Sequence, residues 1–296
     1  MSIANKIEMK HLIITLILIL SSSMIIPHKI QSLLTSSSQP FPISFAVSAG
    51  GTSPPSSAGN HSSIILFFMR PPHVYPDQMA LVNLYRQYIS PTDYVITFTN
   101  ANMNYVNMLS GIKVFGFNTV AEVQKRVPTL RGSGISVIAL DIEQGNRSSL
   151  DMVDPVASVC KASQIAHQNG FKFMANPGLG ANIPSLVGRM ASCSDIFLFQ
   201  AQGHQRSPEQ YHSFAAPSIN AIRAVRPDIP IIIQVSFMNK SAYDPNPAVM
   251  VQKVESAYAS VGNIVNGVAV FYGPNPPGQL TMMEQFFNWV QQNYRQ

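Results

Sequence analysis

Residues 135–144, Ile-Ser-Val-Ile-Ala-Leu-Asp-Ile-Glu-Gln, are the most informative stretch of the sequence. A short apolar run rich in Ile and Val is typical of a buried β-strand. Because side chains alternate between the two faces of a strand, Asp141 and Glu143 share a face with apolar residues at its start. This strand is therefore expected to carry an apolar base and two carboxyl groups at its carboxyl end.

Seven further apolar runs of similar length occur along the chain, and helix-like segments lie between them. The predicted strands are 63–70, 93–100, 112–119, 135–144, 171–178, 195–203, 229–237 and 265–273. The predicted helices are 77–88, 120–130, 151–169, 183–192, 207–225, 247–261 and 279–293, with a shorter segment at 101–110.

This alternation over residues 63–296 predicts an α/β fold, a single-domain (β/α)8 TIM barrel. An open, doubly wound sheet is the alternative. The first strand is followed by the run Arg70-Pro71-Pro72-His73 instead of a glycine-rich phosphate-binding loop, which argues against a dinucleotide enzyme.

The composition limits the possible partners. Charged residues make up 11% of the 296 residues, against roughly 25% in an ordinary soluble domain. Residues 63–296 hold 16 basic and 13 acidic side chains, a net charge of +3. Because nucleic-acid binding depends on clustered Lys and Arg, this dilute charge predicts no nucleic-acid partner.

The first 62 residues are predicted to contain a signal peptide or membrane anchor, followed by a linker. Lys6 and Lys10 precede an apolar run at 12–20, followed by three serines. This order is that of a signal peptide, and the same segment, residues 1–34, could stay as a membrane anchor. Residues 35–62 are rich in Ser, Pro and Gly and are interpreted as a linker. The expected location is extracellular, or membrane-anchored and facing outward, with membrane contact only through this segment.

The chain has two cysteines, Cys160 and Cys193. In an exported protein they could form one disulfide, and the alternative is two buried free thiols. If they pair, the bridge joins the helices that follow the fourth and fifth strands.

Polar residues end most of the predicted strands. In a (β/α)8 barrel these ends meet at one rim, where active sites lie. They predict a binding crater suited to hydroxyl and amide groups, although strand ends also meet water for purely structural reasons. The predicted substrate-binding residues are Arg70, Asn100, Asn118, Asn176, Gln200, Gln202, Gln234 and Tyr272.

Asp141 and Glu143 are selected as catalytic candidates by elimination. The other acidic residues stand at strand starts, at helix starts, within helices, or in a proline-rich loop after the seventh strand. Asp93 and Asp195, for example, fall at the opposite rim of the predicted barrel.

The run Asp141-Ile142-Glu143 on a fourth strand resembles the Asp-x-Glu of chitinase-like glycoside hydrolases of family 18, and lysozymes of family 25 carry a similar tripeptide. The resemblance implies that Glu143 is the general acid. It also implies that Asp141 orients the substrate's acetamido group, which acts as the nucleophile. The fuller chitinase pattern has two more aspartates, at positions held here by Ser136 and Ala139.

Two function classes follow from these observations. The first is an exported hydrolase of a neutral or N-acetylated glycan, and the alternative is a non-catalytic glycan-binding or cell-envelope barrel. Neither needs a cofactor, and no metal site is predicted, although His204 could approach the two carboxyl groups. The pKa of Glu143 is expected above its reference of about 4.3. Asp141 is expected to accept a hydrogen bond, with Arg70 the candidate donor.

Overall fold

The computed structural model describes residues 63–143, 150–178, 180–238, 244–273 and 278–295. They contain eight parallel strands that pair in chain order, and the last strand pairs with the first, so the sheet is a closed barrel. The strands are β1 Ile64–Met69, β2 Tyr94–Thr97, β3 Ile112–Phe117, β4 Val137–Ile142, β5 Lys172–Pro177, β6 Ile196–Gln200, β7 Ile231–Ser236 and β8 Gly267–Phe271. The predicted (β/α)8 barrel is confirmed, and the open sheet is excluded. The predicted signal or anchor and the linker lie outside the described residues.

Each strand is followed by a helix within the described residues. The helices are α1 Gln78–Tyr88, α2 Met103–Val106, α3 Val120–Arg126, α4 Pro155–Gln168, α5 Pro184–Ala191, α6 Pro208–Val225, α7 Pro247–Ala259 and α8 Gln279–Tyr294. Among them, none combines the length and the apolar character needed to cross a membrane.

Two predicted helices are shorter than expected, and proline explains both differences. The segment predicted as 120–130 changes to a 3-10 turn at Val127–Leu130, since Pro128 lacks the N–H that would continue the α-helix. At 151–169, α4 begins only at Pro155, where the side chain of Asp154 accepts a hydrogen bond from Ala157 N.

Residues on both faces of the strands are buried, because the helices cover the outside of the barrel while side chains fill its interior. At the amino-terminal rim, two carboxylates accept hydrogen bonds from backbone N–H groups of neighbouring strands. Asp93 accepts hydrogen bonds from Ile65 N (2.8 Å) and from Arg295 Nη2 (2.7 Å). Asp195 accepts from Phe173 N (2.8 Å). The predicted position of these two residues, opposite the candidate site, is confirmed.

Cys160 in α4 and Cys193, just beyond the end of α5, form a disulfide with Cα atoms 5.1 Å apart. The structure thereby decides between the bridge and the free thiols that the sequence leaves open. The bridge links the helix that follows β4, the strand that carries Asp141, to the helix that follows the neighbouring strand β5.

Replacing both cysteines with Ala is expected to lower the free energy of unfolding by about 3–4 kcal/mol, since the bridge closes a loop of 33 residues in the unfolded chain. Urea denaturation of the double variant and the parent checks this. Treating the parent with a reductant should produce the same shift. An unchanged denaturation midpoint would show that the bridge adds nothing to stability.

Candidate active site

A cavity of about 510 Å³ opens at the carboxyl ends of the strands. Eight of the ten predicted site residues line it: Arg70, Asn118, Asp141, Glu143, Asn176, Gln200, Gln202 and Gln234. The remaining lining residues are mostly apolar: Phe68, Met69, Pro71, His73, Val74, Phe98 and Phe271. The cavity thus combines carboxyl, guanidinium and amide groups with aromatic rings, a mixture suited to a polar ligand with apolar faces.

A hydrogen-bond network at the ends of β4, β5 and β6 holds Asp141. Its Oδ1 accepts from Gln200 Nε2 (2.9 Å), which also donates to Asn176 Oδ1 (3.1 Å). Gln202 Nε2 in turn donates to Gln200 Oε1 (3.2 Å). The sheet register places Asn176 beside Asp141 on the neighbouring strand. Asp141 is therefore bound by one amide, that of Gln200, which Asn176 and Gln202 hold in place.

Burial, followed by the nearby charge of Glu143, raises the pKa of Asp141 to about 7, although the hydrogen bond from Gln200 and the charge of Arg70 act in the opposite direction. Near neutral pH this carboxyl group is partly protonated. The expected hydrogen-bond donor to Asp141 exists, but it is Gln200 and not Arg70. The raised pKa expected of Glu143 itself stays a prediction.

Gly178, the residue after β5, leaves room for the side chain of Glu143. A Cβ atom at position 178 would lie 2.6 Å from Glu143 Oε2 and 2.8 Å from Glu143 Cβ. It would also lie 3.1 Å from Gln200 Nε2. The backbone of Gly178 is fixed close to β4, because its N–H donates to Ile142 O (2.9 Å). The absence of a side chain here lets Glu143 and Gln200 occupy their places.

Arg70 lies at the end of β1, with its guanidinium over the ring of Phe271 at 4.6 Å from the centroid. Burial lowers the pKa of this guanidinium, while the charges of Tyr272 and Asp141 oppose the shift. The Arg70 carbonyl accepts from Asn102 Nδ2 (2.8 Å) and Gln78 Nε2 (3.1 Å). Two side chains from outside the strand thus hold the backbone of Arg70 in place.

Two predicted site residues do not line the cavity. Asn100 lies three residues beyond the end of β2, in an exposed 3-10 turn, where its Oδ1 accepts from Arg126 Nη2 (3.0 Å). Tyr272 is fully buried behind the barrel wall, and its hydroxyl donates to Phe68 O (2.7 Å). Because side chains alternate along a strand, it is the preceding residue, Phe271, that faces the cavity.

Three lining phenylalanines are absent from the predicted site, namely Phe68, Phe98 and Phe271. A sequence signal exists for Phe98: its ring covers Gly116, an inward-facing glycine of β3, and any side chain at 116 would collide with it. A glycine inside a strand often marks such a close approach.

The histidine considered as a possible metal ligand, His204, contacts an aromatic ring instead. His204 stacks on Phe214 with ring centroids 3.7 Å apart. Within the described ranges, no three His, Cys, Asp or Glu side chains converge as metal ligands would.

Comparison with known proteins shows a similarity of fold to solved structures. No protein-family model matches the sequence, and no curated protein matches it. The spore cortex-lytic enzyme SleL from Bacillus megaterium aligns at 9% identity over 80% of this chain and 75% of its own, with a TM-score of 0.55.

Two other solved structures are similar. A class V chitinase from Pseudomonas fluorescens aligns at 11% identity over 76% of this chain and 99% of its own, with a TM-score of 0.52. An endo-β-1,3-glucanase from Amycolatopsis mediterranei, in complex with laminaritriose, aligns at 13% identity over 75% and 99%, with a TM-score of 0.51. The resemblance to glycoside-hydrolase barrels inferred from Asp141-Ile142-Glu143 is therefore confirmed at the level of the fold.

Proposed function

We propose that this protein is an exported glycoside hydrolase that cleaves a neutral or N-acetylated glycan, with Glu143 as general acid and Asp141 as its partner. One observation carries the proposal: the side chains of Asp141 and Glu143 both line the cavity at the carboxyl ends of the barrel strands. Active sites of (β/α)8 barrels occupy this end. Two of the structural neighbours, a chitinase and an endo-β-1,3-glucanase by name, support the same class.

The positions of the two carboxyl groups favour a substrate-assisted reaction. Asp141 lies on β4 and Glu143 directly follows it, so their Cα atoms are roughly 6.5 Å apart along the chain. The two carboxyl groups therefore approach the substrate from one side. A retaining mechanism with an enzymic nucleophile needs two carboxyl groups that flank the bond.

In the proposed reaction, Glu143 protonates the glycosidic oxygen as its bond to the anomeric carbon breaks. The acetamido oxygen of the same sugar forms the new bond to that carbon. Asp141, fixed by Gln200, orients the acetamido group. Water then opens the cyclic intermediate and restores the proton to Glu143. The amides of Asn118, Asn176 and Gln234 are placed to bind hydroxyl groups, and the phenylalanine rings to pack against sugar faces.

Export is supported by two features. The charged and apolar order of the first residues is that of a signal peptide. The Cys160–Cys193 bridge is typical of proteins from oxidising compartments.

A hydrolysis screen of the full chain tests the proposal. Chitooligosaccharides and laminarioligosaccharides are offered separately, and new reducing ends are measured. We expect turnover of at least one class, its loss in Glu143→Gln, and its retention in Glu209→Gln, which alters an exposed carboxylate in the first turn of α6. Oligosaccharide binding without any turnover would favour the non-catalytic barrel.

Gly178→Ala is expected to lower kcat by about 10- to 100-fold with a small change in KM, because the new methyl group displaces the Glu143 carboxyl from its working position. Steady-state kinetics and a melting curve check this. Gly170→Ala is the matched control: it alters the end of α4, where an added Cβ meets nothing within 4 Å, although its φ of 82° adds backbone strain. The control should lose stability and keep kcat. Equal kcat in both variants would contradict the positioning role of Gly178.

A further inference from the structure

Arg70 carries hydrogen-bonding capacity that the described part of the protein does not use. A guanidinium group has five N–H donors. In the described ranges, the hydrogen bonds of Arg70 are all made by its backbone, and its Nε is buried without a partner. The four ion pairs among these residues do not include Arg70. Arg70 as a whole is half-buried, so water reaches part of the group, but a buried N–H without an acceptor costs free energy that a ligand acceptor would recover.

The guanidinium lies beside an aromatic ring of the cavity. Its central carbon is over the ring of Phe271, 4.6 Å from the centroid. This cation–π contact engages the charge of the group without giving its N–H donors an oxygen acceptor. The carbonyl of Arg70 is fixed by Asn102 and Gln78, and its N–H contacts Tyr272 Oη at 3.4 Å. The backbone from which the Arg70 side chain extends is therefore fixed.

Asp141 does not accept a hydrogen bond from the Arg70 guanidinium. It attracts Arg70 electrostatically, but its Oδ1 accepts a hydrogen bond from Gln200. Arg70 stands at the end of β1 and Asp141 on β4, three strands further around an eight-strand ring. The cation and the carboxyl groups thus belong to different sides of one cavity.

We infer that Arg70 is a subsite for a carboxylate carried by the glycan, on a sugar next to the one that is cleaved. This inference rests on the proposed function for its ligand class, a glycan. A carboxylate matches the two-donor edge of a guanidinium. A phosphate, which brings up to two negative charges, fits less well, because Arg70 is the one Lys or Arg among the described lining residues and two carboxyl groups are already present.

The test compares two ligands that differ only in this group. One is an oligosaccharide of alternating N-acetylglucosamine and glucuronic acid, and the other is the same oligosaccharide with its carboxyl groups reduced to alcohols. Affinities for the full chain are measured by calorimetry. We expect the acidic form to bind about 10- to 100-fold more tightly, as for a hydrogen bond to a charged group. Added salt should reduce the difference.

Arg70→Gln should abolish this preference, and Arg70→Lys should keep part of it, since Lys retains the charge without the planar donor edge. Arg126→Gln is the matched control. Arg126 also stacks on aromatic rings, at 4.9 Å from Phe115 and 5.3 Å from Phe117, but it does not line the cavity. It should leave the preference unchanged. Melting curves report whether each variant is folded.

Equal affinity for the two ligands in the parent, a preference that persists in Arg70→Gln, or binding of neither ligand would overturn the inference. A preference that depends on Arg70 in a chain without hydrolytic activity would uphold the subsite while the proposed hydrolase function failed. Hydrolysis of neutral oligosaccharides with no preference for the acidic form would overturn the subsite and leave the proposed hydrolase function standing.

Discussion

Replacing Glu143 with Gln is expected to lower kcat by about 10²- to 10⁴-fold, the range typical of a lost general acid. Gln has nearly the same shape as Glu and keeps its place in the space left by Gly178, but it has no proton to give to the leaving oxygen. Oligosaccharide affinity should change little, because the cavity and its amides remain. Steady-state kinetics on a hydrolysed glycan, with calorimetric affinities, separate the two effects.

Glu209→Gln serves as the control, since Glu209 is exposed on α6 and distant in the chain from β4. It should leave both kcat and affinity unchanged. If Glu143→Gln retained kcat within a few-fold of the parent, the proton would have to come from another group. Asp141 would then be the first candidate, because it lines the same cavity and its pKa of about 7 keeps it partly protonated near neutral pH.

The fold could be predicted because its signal repeats. Eight apolar runs of strand length, separated by helix-length segments, specify a (β/α)8 barrel even when individual boundaries are displaced by a few residues. The two carboxyl groups could be predicted for a related reason. Asp141 and Glu143 continue the inward-facing alternation of β4, so a single well-defined strand fixes their direction.

The two predicted site residues that do not line the cavity lie where a strand end cannot be fixed from the sequence. The prediction puts Asn100 at the end of a strand that in fact stops at Thr97. In β8, an assignment displaced by one residue selects Tyr272 in place of Phe271, and a displacement of one residue reverses the face. Hydrophobicity does not separate the two residues, since both are aromatic.

The remaining features depend on contacts between strands that are distant in sequence. The clearance that Gly178 gives to Glu143, and the bond from Gln200 to Asp141, join β4 to β5 and β6. The pairing of Cys160 with Cys193 also needs the distance between two helices. Local sequence patterns contain none of these distances, so only the three-dimensional structure reveals the amide network and the disulfide.

Asp141→Asn is expected to stabilise the folded protein at high pH while it impairs the proposed reaction. In the folded state the pKa of Asp141 is about 7, against an ordinary value of 3.8. Below pH 3.8 both the folded and the unfolded states hold the proton, so the carboxyl group has no cost. Between these values only the unfolded state loses it, and stability falls as pH rises towards 7. Above pH 7 the cost is complete, and a shift of this size corresponds to up to about 4 kcal/mol.

Urea denaturation at pH 3.5 and pH 8.5 checks this prediction. The free energy of unfolding of Asp141→Asn should match that of the parent at pH 3.5 and exceed it by about 2–4 kcal/mol at pH 8.5. The Asn side chain can keep the bond from Gln200, because its amide oxygen replaces the carboxylate oxygen.

Asp228→Asn is the control, since Asp228 is 80% exposed and makes a surface contact with Arg226. It should shift stability by less than about 1 kcal/mol at either pH. If Asp141→Asn stabilised the protein equally at both pH values, burial of the ionised carboxyl group would not be the cause. The pKa of Asp141 in the folded state would then not be raised.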